Sequence, residues 1–542
     1  MANAIFNVPA PINEPVLTYA PGTPERAEMK TQLDELSAAV ITIPLIIGGK
    51  EIHTATKAQV VMPHDHGHVL ANYSVAGEQE LKAAVNAAVD AKKSWEMLPW
   101  EHRAAIFLKA AALLAGPWRQ RLNAATMLGQ SKTAYQAEID SACELVDFLK
   151  FNVHFAQEIY GSQPISPGPA WNRMEYRPLS GFVMAISPFN FTAIGGNLAT
   201  APAIMGNTVV WKPASTAVLS NYFIYQILRE AGLPDGVINF VPCKGKDVSE
   251  HVMKDPRMAG FHFTGSTDVF SDVWRLVGEN IHTYENYPRL VGETGGKDFI
   301  FAHSSAQIDP LVTAMVEGAF EYQGQKCSAA SRVYIPESLW PDVKSSLLEA
   351  IKAIRTGDIR DFRNFLGAII DEASFKSIAK YIDYAKASPD AEVLCGDYDS
   401  SKGWFVHPTV ILAKTPDFKT MKEEIFGPVL TVYVYPDGKF DETLESCRTV
   451  TPYALTGAIF SQDRDVLAKM ERELADSAGN FYINDKPTGA VVGQQPFGGG
   501  RASGTNDKAG SILNLLRWTS PRSIKETFTP RNVVSHPFMA DE

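Results

Sequence analysis

The sequence is poor in several features that would have directed it elsewhere. Cysteine is scarce: Cys143, Cys243, Cys327, Cys395 and Cys447 are odd in number, far apart and without a Cys-x-x-Cys pair. That gives no support to a disulfide framework or a zinc site and points to a reducing interior. Positive charge is in deficit, with 50 Lys and Arg against 61 Asp and Glu and a formal net charge of −11. Such a surface has no electrostatic pull toward nucleic acid or an anionic membrane. Apolar runs such as 104–115 and 209–211 fall short of the roughly 20 residues that cross a bilayer. Residues 1–24 carry no basic cluster, apolar signal core or Arg-rich face, so they match neither a secretory nor a mitochondrial leader. The expected compartment is therefore the cytoplasm, or the mitochondrial matrix for a processed eukaryotic chain. A Gly-x-Gly-x-x-Gly fingerprint is also missing; Gly498-Gly499-Gly500-Arg501-Ala502-Ser503 lacks its last glycine. No Gly-x-Ser-x-Gly elbow is present, which removes the local signature of a serine hydrolase.

What remains is a chain of 542 residues, 45% hydrophobic and 20% charged, long enough for two or three domains with buried cores. Residues 1–45 are rich in proline and read as an extended arm over the surface. Leu81, Ala84, Val85, Ala88 and Val89 recur at helical spacing, as do Leu145, Phe148, Leu149 and Val153, with another helix over 103–114. From Gly181 short apolar strands at 182–186, 208–211, 237–241 and 260–263 alternate with helices near 198–205, 219–231 and 248–253, the pattern of a parallel, doubly wound sheet. A second alternating block spans 299–483. Two α/β domains follow, with strands at 171–176 and 523–528 outside both and free to pair across subunits. No internal repeat is present.

Several segments carry chemistry. Cys327 lies in Phe320-Glu321-Tyr322-Gln323-Gly324-Gln325-Lys326-Cys327-Ser328, a polar loop in which Lys326, pointing inward, would favour a thiolate. Glu293, in Gly292-Glu293-Thr294-Gly295-Gly296-Lys297, has glycine on both sides, so its backbone can approach a ligand closely. A thiol nucleophile and a separate carboxylate outline a carbonyl oxidation in two stages, attack and then hydrolysis of a thioester. Ser187-Pro188-Phe189-Asn190 follows a strand at the carboxyl edge of the sheet, where ligands bind and where an Asn amide can donate to an alkoxide. Lys212 ends the next strand and can hold ribose or phosphate. Gly265 and Ser266 precede a helix over 267–276, whose N-terminus suits phosphate. His64-Asp65-His66-Gly67-His68 clusters imidazoles, but at spacing better suited to a polar turn than to a metal site, and no metal is expected.

Together, Pro188-Phe189-Asn190-Phe191, Trp211-Lys212-Pro213, Phe263-Thr264-Gly265-Ser266, Glu293-Thr294-Gly295-Gly296-Lys297, Gly324-Gln325-Lys326-Cys327 and Glu423-Glu424-Ile425-Phe426-Gly427-Pro428 resemble the NAD(P)-dependent aldehyde dehydrogenase superfamily over roughly residues 45–530. Within it, the segments around Glu293 and Cys327, with Asn484-Asp485-Lys486-Pro487-Thr488-Gly489-Ala490 and Gln494-Gln495-Pro496-Phe497-Gly498-Gly499, look like the 1-pyrroline-5-carboxylate dehydrogenase branch. The resemblance implies an aldehyde dehydrogenase-like α/β fold: arm 1–45, NAD-binding Rossmann-like domain 46–293 interrupted near 165–178 by an oligomerisation strand, catalytic domain 294–490, and a return at 491–542. It implies oxidation of L-glutamate γ-semialdehyde to L-glutamate in proline catabolism. Cys327 would be nucleophile, Asn190 oxyanion donor and Glu293 base. NAD would lie against Ser187, Pro188, Lys212, Ser215, Gly265 and Ser266, with Glu424 on the nicotinamide ribose and Phe426 beside the ring. Ser328, Gly489 and Ala490 would grip the α-carboxylate, Phe191 and Phe497 would sandwich the aliphatic chain, and Lys326 would add positive potential. Many NAD-preferring relatives place a carboxylate where this chain has Ser215, so that residue does not exclude NADP. The resemblance further implies a homodimer or higher homo-oligomer and a proline dehydrogenase partner. Rival readings are a dehydrogenase of another semialdehyde such as succinate semialdehyde, a CoA-acylating enzyme, against which Glu293 argues, a cysteine esterase, and a non-catalytic protein on the same fold.

Overall fold

Short runs of apolar residues flanked by helical segments can bury both faces of a strand only inside a parallel sheet covered on each side. A computed structural model describes residues 4–541 and contains two such sheets. The first has seven strands in the order Arg289–Glu293, Met258–Thr264, Phe182–Ile186, Thr208–Lys212, Ile238–Phe240, Leu45–Ile47 and Lys50–Ile52. The first five run parallel, and the last two are added antiparallel at the edge. Val183, Val209, Val210 and Phe261 on these strands are fully buried, as their β-branched and aromatic character favours. After the edge strands, the chain enters the parallel part at its middle strand Phe182–Ile186, moves outward one way to Ile238–Phe240, then returns to place Met258–Thr264 on its other side. The resulting switch point opens a crevice beyond Ile186 and Thr264.

The second seven-stranded sheet runs Ala391–Cys395, Thr409–Ala413, Val429–Tyr435, Ala330–Pro336, Asp298–Ala302, Thr456–Phe460 and Asn480–Ile483, with only Ala391–Cys395 antiparallel. Residues 294–297 carry the chain directly from the last strand of the first sheet into the second. Glu293 therefore ends one sheet, and Cys327 precedes the strand Ala330–Pro336 of the other.

The structure corrects several expectations. The proline-rich arm is not extended throughout: Pro24–Ser37 is a helix with Pro at its first turn and Met29, Leu33 and Leu36 buried along one face. The two strands outside both blocks also pair with each other within the chain, Ala170–Pro178 against Thr519–Thr527, in register from Thr527↔Ala170 to Thr519↔Pro178. The helix placed near 198–205 begins at Thr192 (Thr192–Ile204), because alanine and glycine there pack against neighbours instead of breaking it. The histidine cluster lies at the turn between Lys57–Met62 and Asp65–Ser74, and its imidazoles go separate ways. His64 meets Ser131 Oγ at 3.3 Å, His66 stacks on Trp404 with centroids 5.1 Å apart, and His68 meets the Ser37 carbonyl at 2.8 Å.

Candidate active site

The crevice at the switch point widens into a cleft of about 840 Å³. Its lining includes Ser187, Pro188, Asn190, Lys212, Ser215, Gly265, Ser266, Cys327, Glu424 and Phe426. Ser187 is fixed by the Trp211 indole, whose Nε1 donates to Ser187 Oγ at 2.5 Å. Lys212 is buried, and its ammonium donates only to the Pro213 carbonyl, at 3.2 Å. Burial draws its pKa down, so an anionic or hydroxylated ligand beside it relieves a desolvated charge. Ser266 caps the helix Thr267–Glu279, its Oγ accepting from Val269 N at 3.4 Å, which leaves neighbouring backbone N–H groups facing the cleft. A Cβ on Gly265 would lie 2.6 Å from the Phe263 ring, so only glycine permits this close turn. A buried ammonium and a glycine-opened helix N-terminus form the donor set that a dinucleotide diphosphate and its ribose require.

The nucleophile loop follows the helix Ile308–Phe320. Tyr322, Gln323 and Gly324 have φ of 51°, 55° and 64°, three successive left-handed residues, two of which are not glycine. Conformations of this kind cost about 1–3 kcal/mol each and persist only when their surroundings hold them. Gln323 supplies the hold: its amide donates to Ser131 O at 3.1 Å and Ala368 O at 2.8 Å and accepts from Gly367 N at 3.0 Å. Gln325 accepts from Ile370 N at 2.9 Å, while its carbonyl accepts from Asn190 Nδ2 at 3.0 Å. Asn190 is thus tied to the nucleophile loop with one amide hydrogen still to give. Burial raises the Cys327 thiol well above its ordinary pKa, and the carboxylates of Asp298, Glu293 and Glu424 push the same way. Lys326 is buried, as a thiolate-favouring role would require, but its ammonium is turned to carboxylates. Its ammonium is 3.2 Å from Glu321 and 3.9 Å from Asp140, and these buried acids claim its charge.

Glu293 is no solvated loop carboxylate. It ends the strand Arg289–Glu293, and one of its oxygens accepts from Gly499 N at 3.2 Å. Burial pushes its pKa well above the usual carboxylate range. Its backbone carbonyl accepts from Gly265 N at 3.2 Å, which couples it to the cleft. Glu424 accepts from Gly296 N at 2.9 Å, and a Cβ on Gly295 would fall 2.4 Å from its carboxylate, so the paired glycines make its seat. Phe426, at φ 58°, meets Phe189 edge-on with centroids 5.9 Å apart.

Glu293, Phe191, Lys326, Ser328, Gly489, Ala490 and Phe497 lie outside the lining of the cleft. Ser328 Oγ is 2.7 Å from Thr488 Oγ1, which joins the nucleophile loop to the turn carrying Gly489 (φ 97°) and Ala490. Phe497 is fixed by reciprocal backbone hydrogen bonds with Ala509 at 3.0 and 2.8 Å. Beside Phe191 the structure brings in a group the sequence did not single out. Fully buried Lys132 sits between the Phe191 and Tyr322 rings, 4.3 and 4.2 Å from their centroids, and pairs with Asp140. No local motif marks Lys132, because its partners come from distant segments and from the short helical stretch Glu138–Cys143.

The aldehyde dehydrogenase family model matches residues 51–524. The mitochondrial delta-1-pyrroline-5-carboxylate dehydrogenase of Dictyostelium discoideum is 54% identical over 99% of this chain and 97% of its own. The crystal structure of the Mycobacterium tuberculosis delta-pyrroline-5-carboxylate dehydrogenase bound with NAD superposes with a TM-score of 0.96 at 53% identity, covering 100% of both chains. Proline utilization A of Bdellovibrio bacteriovorus matches 98% of this chain with 55% of its own, at 28% identity and a TM-score of 0.91. A cleft at a switch point, a thiol on a strained turn and a desolvated carboxylate thus coincide with extensive likeness, and the chain belongs to the aldehyde dehydrogenase family.

Proposed function

We propose that the protein oxidises L-glutamate γ-semialdehyde, the ring-opened form of 1-pyrroline-5-carboxylate, to L-glutamate with NAD. The observation that carries this reading is the shared lining of one cleft by Cys327, Asn190, Glu424, Lys212 and Ser266, in a chain about half identical to proteins named for that substrate. NAD, when bound, supplies the acceptor for the hydride that leaves the aldehyde carbon. Lys212 and Ser215 hold the adenosine ribose, Gly265 and Ser266 the diphosphate, and Glu424 the nicotinamide ribose, with Phe426, Ser187 and Pro188 shaping the ring's seat. Cys327 Sγ adds to the aldehyde carbon as its proton passes to solvent water, and the charge that develops on oxygen in this tetrahedral adduct meets the spare Asn190 N–H and the backbone N–H of Cys327. Departure of the hydride from that adduct leaves a Cys327 thioester, which is resolved when Glu293, ionised, takes a proton from water attacking the acyl carbon; sulfur leaves as thiolate and the carboxylate product is freed. Ser328, Gly489 and Ala490 bind the α-carboxylate, Phe191 and Phe497 flank the chain, and Lys326 contributes potential from behind its acidic partners.

Residues 46–293, with the return at 491–542, form the NAD-binding unit, and 294–490 the catalytic unit. The hairpin of 170–178 and 519–527 joins two copies in a homodimer or larger assembly. The longer proline utilization A chain supports coupling to a proline-oxidising partner, and the compartment is the matrix in a eukaryotic cell or the cytoplasm in a bacterium. The test is formation of reduced cofactor from NAD and the semialdehyde. Its catalytic efficiency is expected to exceed that for succinate semialdehyde by about 100-fold or more, since polar groups built for an α-amino acid head go unpaired without it. Brisk turnover of simple aldehydes with silence toward glutamate semialdehyde would reject the assignment.

A further inference from the structure

Asn13, in the N-terminal arm, is a junction whose side-chain amide makes three hydrogen bonds to distant parts of the chain. Its Nδ2 donates to Asp147 Oδ2 and to the Val492 carbonyl, both at 2.8 Å, and its Oδ1 accepts from Gln494 Nε2 at 3.0 Å. Both donors and the acceptor are therefore used. Asp147 is buried on the helix Glu144–Gly161, and its other oxygen accepts from Glu14 N at 2.7 Å. Val492 and Gln494 belong to the loop that continues from Gly489 and Ala490 to Phe497. Arg119 bridges Glu14, at 2.8 Å, and Glu138, so this part of the arm is itself anchored. A Cβ at Gly493 (φ 80°) would come within 2.2 Å of the Phe151 ring, so the loop lies directly on the helix at this point.

We propose that Asn13 is a positioning residue that clips the 489–497 loop to the helix Glu144–Gly161 and so presets the backbone grip on the substrate's α-carboxylate. The inference rests on the functional reading above, in which Gly489 and Ala490 hold that carboxylate. Backbone N–H donors bind an anion well only when their orientation is set beforehand, and a loop free to move spends substrate binding energy on being ordered. An amide is the side chain suited to this place. Asp would face the Asp147 carboxylate and the Val492 carbonyl with acceptors alone.

The test compares Asn13→Ala and Gln494→Ala with the unaltered full chain, using glutamate semialdehyde, NAD and a simple aliphatic aldehyde that lacks the α-carboxylate. For Asn13→Ala, KM for glutamate semialdehyde is expected to rise about 10-fold, the scale of losing the two hydrogen bonds that reach the loop, with kcat within about 2-fold. Affinity for the product glutamate, measured by calorimetry, is expected to weaken in parallel, while KM for NAD and for the simple aldehyde stay unchanged. Gln494 is exposed, so its truncation leaves the fold intact if Asn13→Ala does not, and it is expected to give the same split at about 3-fold. An unchanged KM for glutamate semialdehyde in the folded variants, or an equal rise for both aldehydes, overturns the clip. An unaltered protein with no preference for the α-carboxylated substrate overturns the functional reading instead.

Discussion

Glu293 can act as a base only when ionised, yet burial favours its neutral form and lifts its pKa well above the ordinary carboxylate value. Hydrolysis of the thioester is therefore expected to fall as pH drops through that raised pKa, in a range where exposed carboxylates remain charged. A single-turnover pH profile of the acyl-enzyme step reads this directly. The same group makes a stability prediction. With the folded pKa raised, the native state holds a proton that the unfolded chain releases, so stability declines as pH rises from the ordinary value through the raised one. Glu293→Gln removes the buried charge. Its melting temperature is expected to exceed the parent's at about pH 8, with the gap closing near about pH 4, while deacylation slows about 1000-fold. Asn190→Ala removes both the tie to Gln325 and the spare donor, and kcat is expected to fall about 100- to 1000-fold with NAD affinity retained. Lys132→Met leaves the buried Asp140 carboxylate to its longer pairing with Lys326 at 3.9 Å and should cost up to about 3–5 kcal/mol by denaturant unfolding, whereas combining it with Asp140→Asn should recover much of that.

At the scale of elements, the turn before Cys327 stores backbone strain, and the loops carrying Ser131, Gly367 and Ala368 restrain it. A Cβ on Gly324 would fall 2.2 Å from the Gly427 carbonyl, the segment that also carries Phe426. Gly324→Ala therefore displaces the nucleophile loop, the Glu424–Phe426 segment or both. The expected result is a loss of kcat of at least about 100-fold with a lower melting temperature, since small misplacements of reacting groups carry such factors. Much at this scale was legible in advance. The strand at 182–186 was located from its apolar run, and Thr267–Glu279 from the Gly265-Ser266 punctuation before it. The helix Pro24–Ser37 was not, because proline density masked the spacing of Met29, Leu33 and Leu36, whose burial depends on helices far along the chain. The partners of Lys326 were hidden for a related reason. A lysine next to a cysteine looks like its counter-ion until the fold places Glu321 and Asp140 closer.

For the molecule as a whole, a ligand that binds only the folded chain stabilises it by mass action. NAD at about 100 times its Kd should add about 2.7 kcal/mol and shift the melting curve upward, and Lys212→Ala should diminish that shift at equal NAD. The paired strands 170–178 and 519–527 leave Trp171 half exposed, and the proposed assembly places a second copy on this hairpin. Truncating the chain before Thr519 is expected to lower the mass measured by light scattering to that of a single chain.

The sequence by itself determined the alternation of strands and helices, the order of the motifs and the separation of the thiol from the carboxylate, because hydrophobic period and turn chemistry are local. Only the tertiary structure decided which charges neutralise one another, how far burial raises Glu293 and Cys327, and that the arm reaches the 489–497 loop. Desolvation and long-range contacts depend on what the fold brings alongside a residue, and adjacency along the chain does not encode that.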